Sequence, residues 1–210
     1  MQPAQLLNDT DGVTDMRKTL TAAAAAALLF TLTACGGSDG AGADSYNEAD
    51  VTFAQQMIPH HQQAIEMADL AESRAESQEV KELAADIKAA QGPEIETLTG
   101  WLEDWDEEVP DADMSDMSGM DQSGMDMSSD GSSGMTGMMS EEDMTALEAA
   151  SGADFDQMWL TMMIEHHQGA IEMAQTEQTE GEFDAAVELA EEVESAQTAE
   201  IAMMQDLLAS

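Results

Sequence analysis

Shifting the sequence by 106 residues lays Asp50–Leu102 over Asp156–Leu208 without a gap, and 20 of the 53 aligned positions are identical. A repeat of this length means that one supersecondary unit is used twice. The identities concentrate in Met57-Ile58-Pro59-His60-His61-Gln62-Gln63-Ala64-Ile65-Glu66-Met67-Ala68 against Met163-Ile164-Glu165-His166-His167-Gln168-Gly169-Ala170-Ile171-Glu172-Met173-Ala174. A weaker echo pairs Gln91, Glu94 and Ile95 with Gln197, Glu200 and Ile201. Apolar residues recur at helical spacing in both copies, nothing alternates with period two, and β-branched residues are sparse, so an all-α chain is expected. Each copy reads as a helical hairpin too small to bury its own apolar stripe. Two such hairpins pair into a four-helix bundle.

Ser45-Tyr46-Asn47-Glu48 has the form of a capping box and opens a first helix expected to run to about Ser73. A second runs from about Ser77 through Val80, Leu83, Ala84, Ile87, Ala90, Ile95, Leu98 and Leu102 to near Trp105. Pro93 inside it is a candidate kink, and Pro110 follows its end. From Asp111 to Met139 the composition turns to Met, Ser, Gly and Asp without periodicity, which reads as a disordered linker. Helical pattern resumes at Ser140-Glu141-Glu142-Asp143, is interrupted at Ser151-Gly152, continues from Ala153 to Gly181, and closes with Glu182 to Leu208. The bundle is thus expected over 45–208, as repeats of about 45–105 and 141–208 with a linker of about 106–140.

The N-terminus reads as an export signal over residues 1–34. Arg17-Lys18 is a basic start, with Met16 directly before it as an alternative translation start. Leu20–Ala34 is an apolar, Thr-bearing run of fifteen residues, short of the roughly 20 needed to span a bilayer. Leu32-Thr33-Ala34-Cys35 resembles a bacterial lipobox, in which the cysteine is lipidated; residues 35–44 would then tether the bundle to the outer face of the cell membrane. Cys35 is the single cysteine, so an intrachain disulfide is excluded.

Charge narrows the partners. With 45 Asp and Glu against 5 Lys and Arg, the formal net charge is -40, a surface that repels phosphate backbones and argues against nucleic acid. Cations are the natural partners.

All four histidines lie in the two repeat blocks. On a helical wheel of about 100° per residue, Met57 and His61 fall near the centre of the apolar arc, with His60 and Met67 on one margin and Gln62 and Glu66 on the other side. The second copy places Met163, His167, His166 and Met173 in the same way, and two such helices facing one another would converge imidazoles and thioethers. Core filler is the bland reading for the methionines. Two vicinal imidazoles buried twice are costly unless something binds them, which favours a metal site. Glu66 and Glu172 read as solvated or bundle-edge residues.

Ligand softness selects the metal: thioether sulfur prefers Cu(I), imidazole accepts Cu, Zn or Fe, and carboxylates suit harder ions. Ferritin-type di-iron sites need Glu-x-x-His, and Met57-x-x-His60 and Met163-x-x-His166 occupy that spacing instead. Met114, Met117, Met120, Met125, Met127, Met135, Met138 and Met139, interleaved with Asp, Ser and Gly, form a possible auxiliary Cu(I) site; an incidental low-complexity tether is the alternative. These runs resemble the methionine motifs of exported copper-resistance proteins.

The doubled signature, Phe53-x3-Met57-Ile58-x-His60-His61-x2-Ala64-Ile65-x-Met67-Ala68 and Trp159-x3-Met163-Ile164-x-His166-His167-x2-Ala170-Ile171-x-Met173-Ala174, resembles the bacterial domain-of-unknown-function family 305, as do Gln91-x2-Glu94-Ile95 and Gln197-x2-Glu200-Ile201. The resemblance implies a ferritin-like four-helix fold, export, and copper binding and tolerance. It makes Met57, His60, His61, Met67, Met163, His166, His167 and Met173 candidate ligands. The long Met-rich insert and scarcity of Lys and Arg depart from that pattern. The expected function is an exported, lipid-anchored protein that sequesters or passes on Cu(I), in exchange with other copper-handling proteins, rather than an enzyme. Alternatives are a ferritin-like di-metal oxidase or peroxidase and a structural surface lipoprotein.

Overall fold

The computed structural model describes residues 45–110 and 136–210. Within them five helices follow one another: α1 (Glu48–Arg74), α2 (Gln78–Asp104), α3 (Glu141–Ala149), α4 (Ala153–Glu180) and α5 (Asp184–Leu208). The fold is an all-α bundle. The α1–α2 hairpin and the α4–α5 hairpin meet chiefly along α1 and α4, and the short α3 packs on α4. The N-terminal signal, Cys35 and Met114 to Met135 lie outside the described residues. Among those described, no helix is long and apolar enough to cross a membrane.

Local chemistry sets the helix ends. The capping box of α1 lies two residues beyond the Ser45 start expected from sequence. Asn47 Oδ1 accepts from the backbone N–H of Ala49 at 2.6 Å and of Asp50 at 3.2 Å, while Asp50 Oδ2 accepts from Asn47 N–H at 2.6 Å. Ser77 caps α2 through Val80 N–H, and Ser140 caps α3 in a reciprocal box with Asp143. Gly152, at φ 68°, takes the left-handed backbone that turns α3 into α4. Its N–H donates to the carbonyl of Arg74 at 2.8 Å, which ties this turn to the end of α1. Both Pro59 and Pro93 are accommodated inside their helices.

The two hairpins also cap each other. Asp50 accepts from the N–H groups of Glu182 at 3.2 Å and Phe183 at 3.0 Å, in the turn between α4 and α5. Its repeat counterpart, Asp156, accepts from Glu76 at 3.0 Å and Ser77 at 2.8 Å, in the turn between α1 and α2. Phe183 makes no side-chain cap of its own, so at the start of α5 a carboxylate from the other copy satisfies otherwise orphan donors. These crossed contacts run α1 antiparallel to α4 and fix their offset.

Two apolar clusters fill the interior. One gathers Phe53, Met57, Ile58, Leu98, Leu102 and Met173 with neighbouring alanines. The other gathers Met67, Ile87, Leu147, Phe155, Trp159 and Met163. Trp159 is fully buried and donates its indole N–H to the carbonyl of Met67 at 2.9 Å, locking α4 onto α1.

Glu177 replaces the first copy's Ala71 and is buried with both carboxyl oxygens lacking a donor. Burial, then its neighbour Asp50, pushes its pKa up from 4.5 to about 8. The unfolded chain releases this proton near pH 4.5, whereas the folded chain holds it to about pH 8. The stabilising contribution is therefore full below pH 4.5 and lost as pH rises through 8. Glu177→Gln keeps the shape and cannot ionise. Thermal melts should show it matching the wild type below pH 4.5 and exceeding it increasingly as pH rises toward 8, by on the order of 1–3 kcal/mol in alkali.

Candidate metal centre

The four histidines lie at the middle of the α1–α4 seam, between the two apolar clusters, and all are fully buried. His60 and His166 face each other across the seam with ring centroids 3.7 Å apart and planes tilted by 37°. Each is 6.4 Å from the ring of its chain neighbour, His61 or His167. Adjacent helical residues point about 100° apart. One imidazole of each pair consequently faces the other hairpin, while the other turns toward the second helix of its own.

That second helix meets it with a carboxylate. His61 Nε2 lies 2.6 Å from Glu94 Oε2, and His167 Nε2 lies 2.8 Å from Glu200 Oε2. An ionised carboxylate only accepts, so each contact is donated by imidazole Nε2–H; in the neutral ring the lone pair is then on Nδ1. In metal proteins such outer carboxylates orient ligand imidazoles and raise their basicity. Both Nδ1 atoms are buried without a partner, as are both ring nitrogens of His60 and of His166. Burial, followed by the neighbouring histidines, holds the pKa of His60 and His166 well below 6.5. They are neutral at pH 7.

The methionines flank the histidines in two groups rather than one. Met57 and Met173 belong to one cluster, Met67 and Met163 to the other. The antiparallel offset divides the repeat-equivalent thioethers in this way. Met57, Met67 and Met163 are fully buried and Met173 nearly so. Glu66 and Glu172 are exposed. From the Met-rich segment, only Met138 and Met139 are among the described residues; both are half-buried, and Met139 packs on the apolar cluster containing Trp159.

Glu94 and Glu200 carry no role in the sequence reading, although the weaker echo of the repeat contains both. Gln91 and Gln197, one turn earlier, are likewise buried with Oε1 unpartnered. Among the described residues, no three His, Cys, Asp or Glu side chains form a ready coordination sphere. The nitrogens come as a facing pair with thioethers to either side, an arrangement suited to a soft ion of low coordination number. An open cleft of about 570 Å³ beside Tyr46, Val51, Gln55 and Glu107 contains none of these groups.

Duplicated helical hairpins closing around a buried four-histidine centre define the class of protein. Residues 50–208 match the family described as Domain of unknown function (DUF305), and the chain belongs to it. Among solved structures, it is similar to a candidate secreted DUF305 protein from Streptomyces coelicolor, with 32% identity, a TM-score of 0.64, and 77% of this chain and 92% of that one covered. It is also similar to CopM in its Cu(II)-bound form, at 34% identity and a TM-score of 0.62 over 76% of this chain and 95% of that one. For CopM in its Cu(I)-bound form the values are 30% and 0.57, over 75% and 94%. No curated protein matches.

Glu94→Ala leaves His61 buried with neither ring nitrogen paired. Urea denaturation of the metal-free protein should show a loss of about 1–3 kcal/mol, most of it restored by Glu94→Gln, whose side-chain carbonyl still accepts.

Proposed function

We propose that the protein is an exported, lipid-anchored copper-binding protein whose bundle takes up Cu(I) and contributes to copper tolerance by sequestering the ion or passing it on. His60 and His166 are the central ligands, with His61 and His167 beside them. Met57, Met173, Met67 and Met163 supply soft sulfur from either side. Cys35 carries the lipid, and Met114, Met117, Met120, Met125, Met127, Met135, Met138 and Met139 form an auxiliary thioether arm. Copper is cargo in this reading, and the protein needs no catalytic group.

The observation that carries the proposal is the set of buried, unpartnered imidazole nitrogens on all four histidines. Buried polar atoms are ordinarily hydrogen-bonded, and a cluster of exceptions points to a missing partner. Because His60 and His166 are neutral at pH 7, an incoming cation displaces no proton from them. The copper-bound and silver-bound forms of CopM support the same chemistry, silver being a monovalent soft ion like Cu(I).

Replacing His60 and His166 together by Leu separates a ligand role from a structural one. The double variant removes unpartnered polar atoms from the core, so its metal-free form should melt at or above the wild-type temperature. Titration with Cu(I) in reducing buffer should show loss of the bundle site. A variant that is destabilised and still takes up wild-type amounts of Cu(I) at the bundle would identify these histidines as structural.

A further inference from the structure

Between Met57 and Ala68 the two copies differ at only two positions, Pro59 against Glu165 and Gln63 against Gly169. The second pair acts on one short stretch of chain, Thr136–Met139. Gln63 Nε2 donates to the carbonyl of Met139 at 2.9 Å, and Met139 N–H donates to Gln63 Oε1 at 2.7 Å. On the facing helix, a Cβ at Gly169 would lie 2.3 Å from the Thr136 carbonyl oxygen and 2.6 Å from Gly137 Cα. That contact is with backbone, which has little room to yield. Gly169 sits inside α4, where alanine would favour the helix by about 1 kcal/mol; close approach of another backbone is the reason for a glycine there.

Gln63 and Gly169 lie three residues after His60 and His166, on the same helix faces. Because α1 and α4 run antiparallel, the two anchors lie one turn to opposite sides of the histidine pair, and the stretch they hold crosses diagonally from α4 to α1 over that pair. It also touches that pair: the Thr136 backbone lies beside His60, and a Cβ on Gly137 would lie 3.0 Å from the carbonyl of His166. Gly137 itself takes the left-handed backbone at φ 81°, which lets the chain turn down onto the seam.

We propose that Thr136–Met139 is a strap seated across the His60–His166 pair, that Gln63 and Gly169 are the positioning residues that seat it, and that ions enter and leave the pair when it lifts. The strap's control of ion traffic rests on the copper reading; its cover of the imidazoles does not. The one divergent pair of positions that flanks the histidines on their own face thus has a role. The copies match where they present ligands, and differ where a single strap must be hydrogen-bonded on one helix and given space on the other.

The test uses the full chain and two variants, Gln63→Ala and Gly169→Ala, with helix content followed by circular dichroism. In the metal-free protein, amide exchange at Met139 and modification of His60 and His166 by diethyl pyrocarbonate report seating and cover. In protein loaded with Ag(I) or Cu(I), transfer to a competing chelator reports ion traffic. All three rates should rise about tenfold or more in both variants, as expected when two neutral hydrogen bonds or their geometry are lost, with helix content and ion stoichiometry unchanged. Faster Met139 exchange with unchanged histidine modification would overturn the cover. Faster modification with unchanged ion transfer would overturn the control of traffic. A wild type that binds neither ion but shows strap-dependent modification would defeat the copper reading and uphold the cover.

Discussion

Imidazole nitrogens buried without partners are the constraint around which the bundle is arranged. Each such atom forgoes hydration at a cost of about 1–3 kcal/mol, and the metal-free protein holds six of them at one level of the α1–α4 seam. A seam carrying that cost must be closed by other means. The two apolar clusters, one to each side of the histidines, supply close packing, and Trp159 adds a buried indole hydrogen bond to the backbone of α1. Asp50 and Asp156 then bind each hairpin to the turn of the other. The frame is strong at its ends and leaves its polar atoms unpaired at its middle, which is where a local rule is expected to be broken if the middle is a functional centre.

Much of this is legible in the sequence because duplication repeats the signal. A gapless repeat with helical period leaves little besides two hairpins packed as a bundle, and the presence of all four histidines at equivalent positions marks the centre before any coordinate is known. What escapes is what depends on the relation between helices. A helical wheel places Met57 and Met163 on equivalent arcs, but the offset of antiparallel α1 and α4 sends them into different clusters. Glu94 and Glu200 are visible as a faint echo, yet only the packing of α2 on α1 and of α5 on α4 carries their carboxylates to His61 and His167. The cap of α1 falls at Asn47 rather than Ser45, and the Asp50 that completes its box also accepts from the distant Glu182 and Phe183 amides, a contact no local pattern contains. The seating of Thr136–Met139 is hidden for a related reason: a stretch without period looks like linker, and its two anchors lie in other helices.

The carboxylates bear on the kind of ion the centre suits. In a di-iron bundle, glutamates meet the metals directly; here Glu94 and Glu200 are engaged with imidazole Nε2 atoms on the far side of the rings. They accept from Nε2–H and lend partial negative charge at one remove; on the proposed reading the ion meets ring nitrogen and thioether sulfur instead. The desolvation cost of an ion grows with the square of its charge, so in this buried setting a divalent ion loses about four times as much solvation as a monovalent one. On the proposed reading the centre thus selects by charge as well as by softness. The surface works in the complementary sense, because a chain with net charge -40 draws cations toward itself without distinguishing them. On that same reading attraction is general at the surface and discrimination falls to the interior, where the ion would shed its water and accept ring nitrogen and sulfur in exchange.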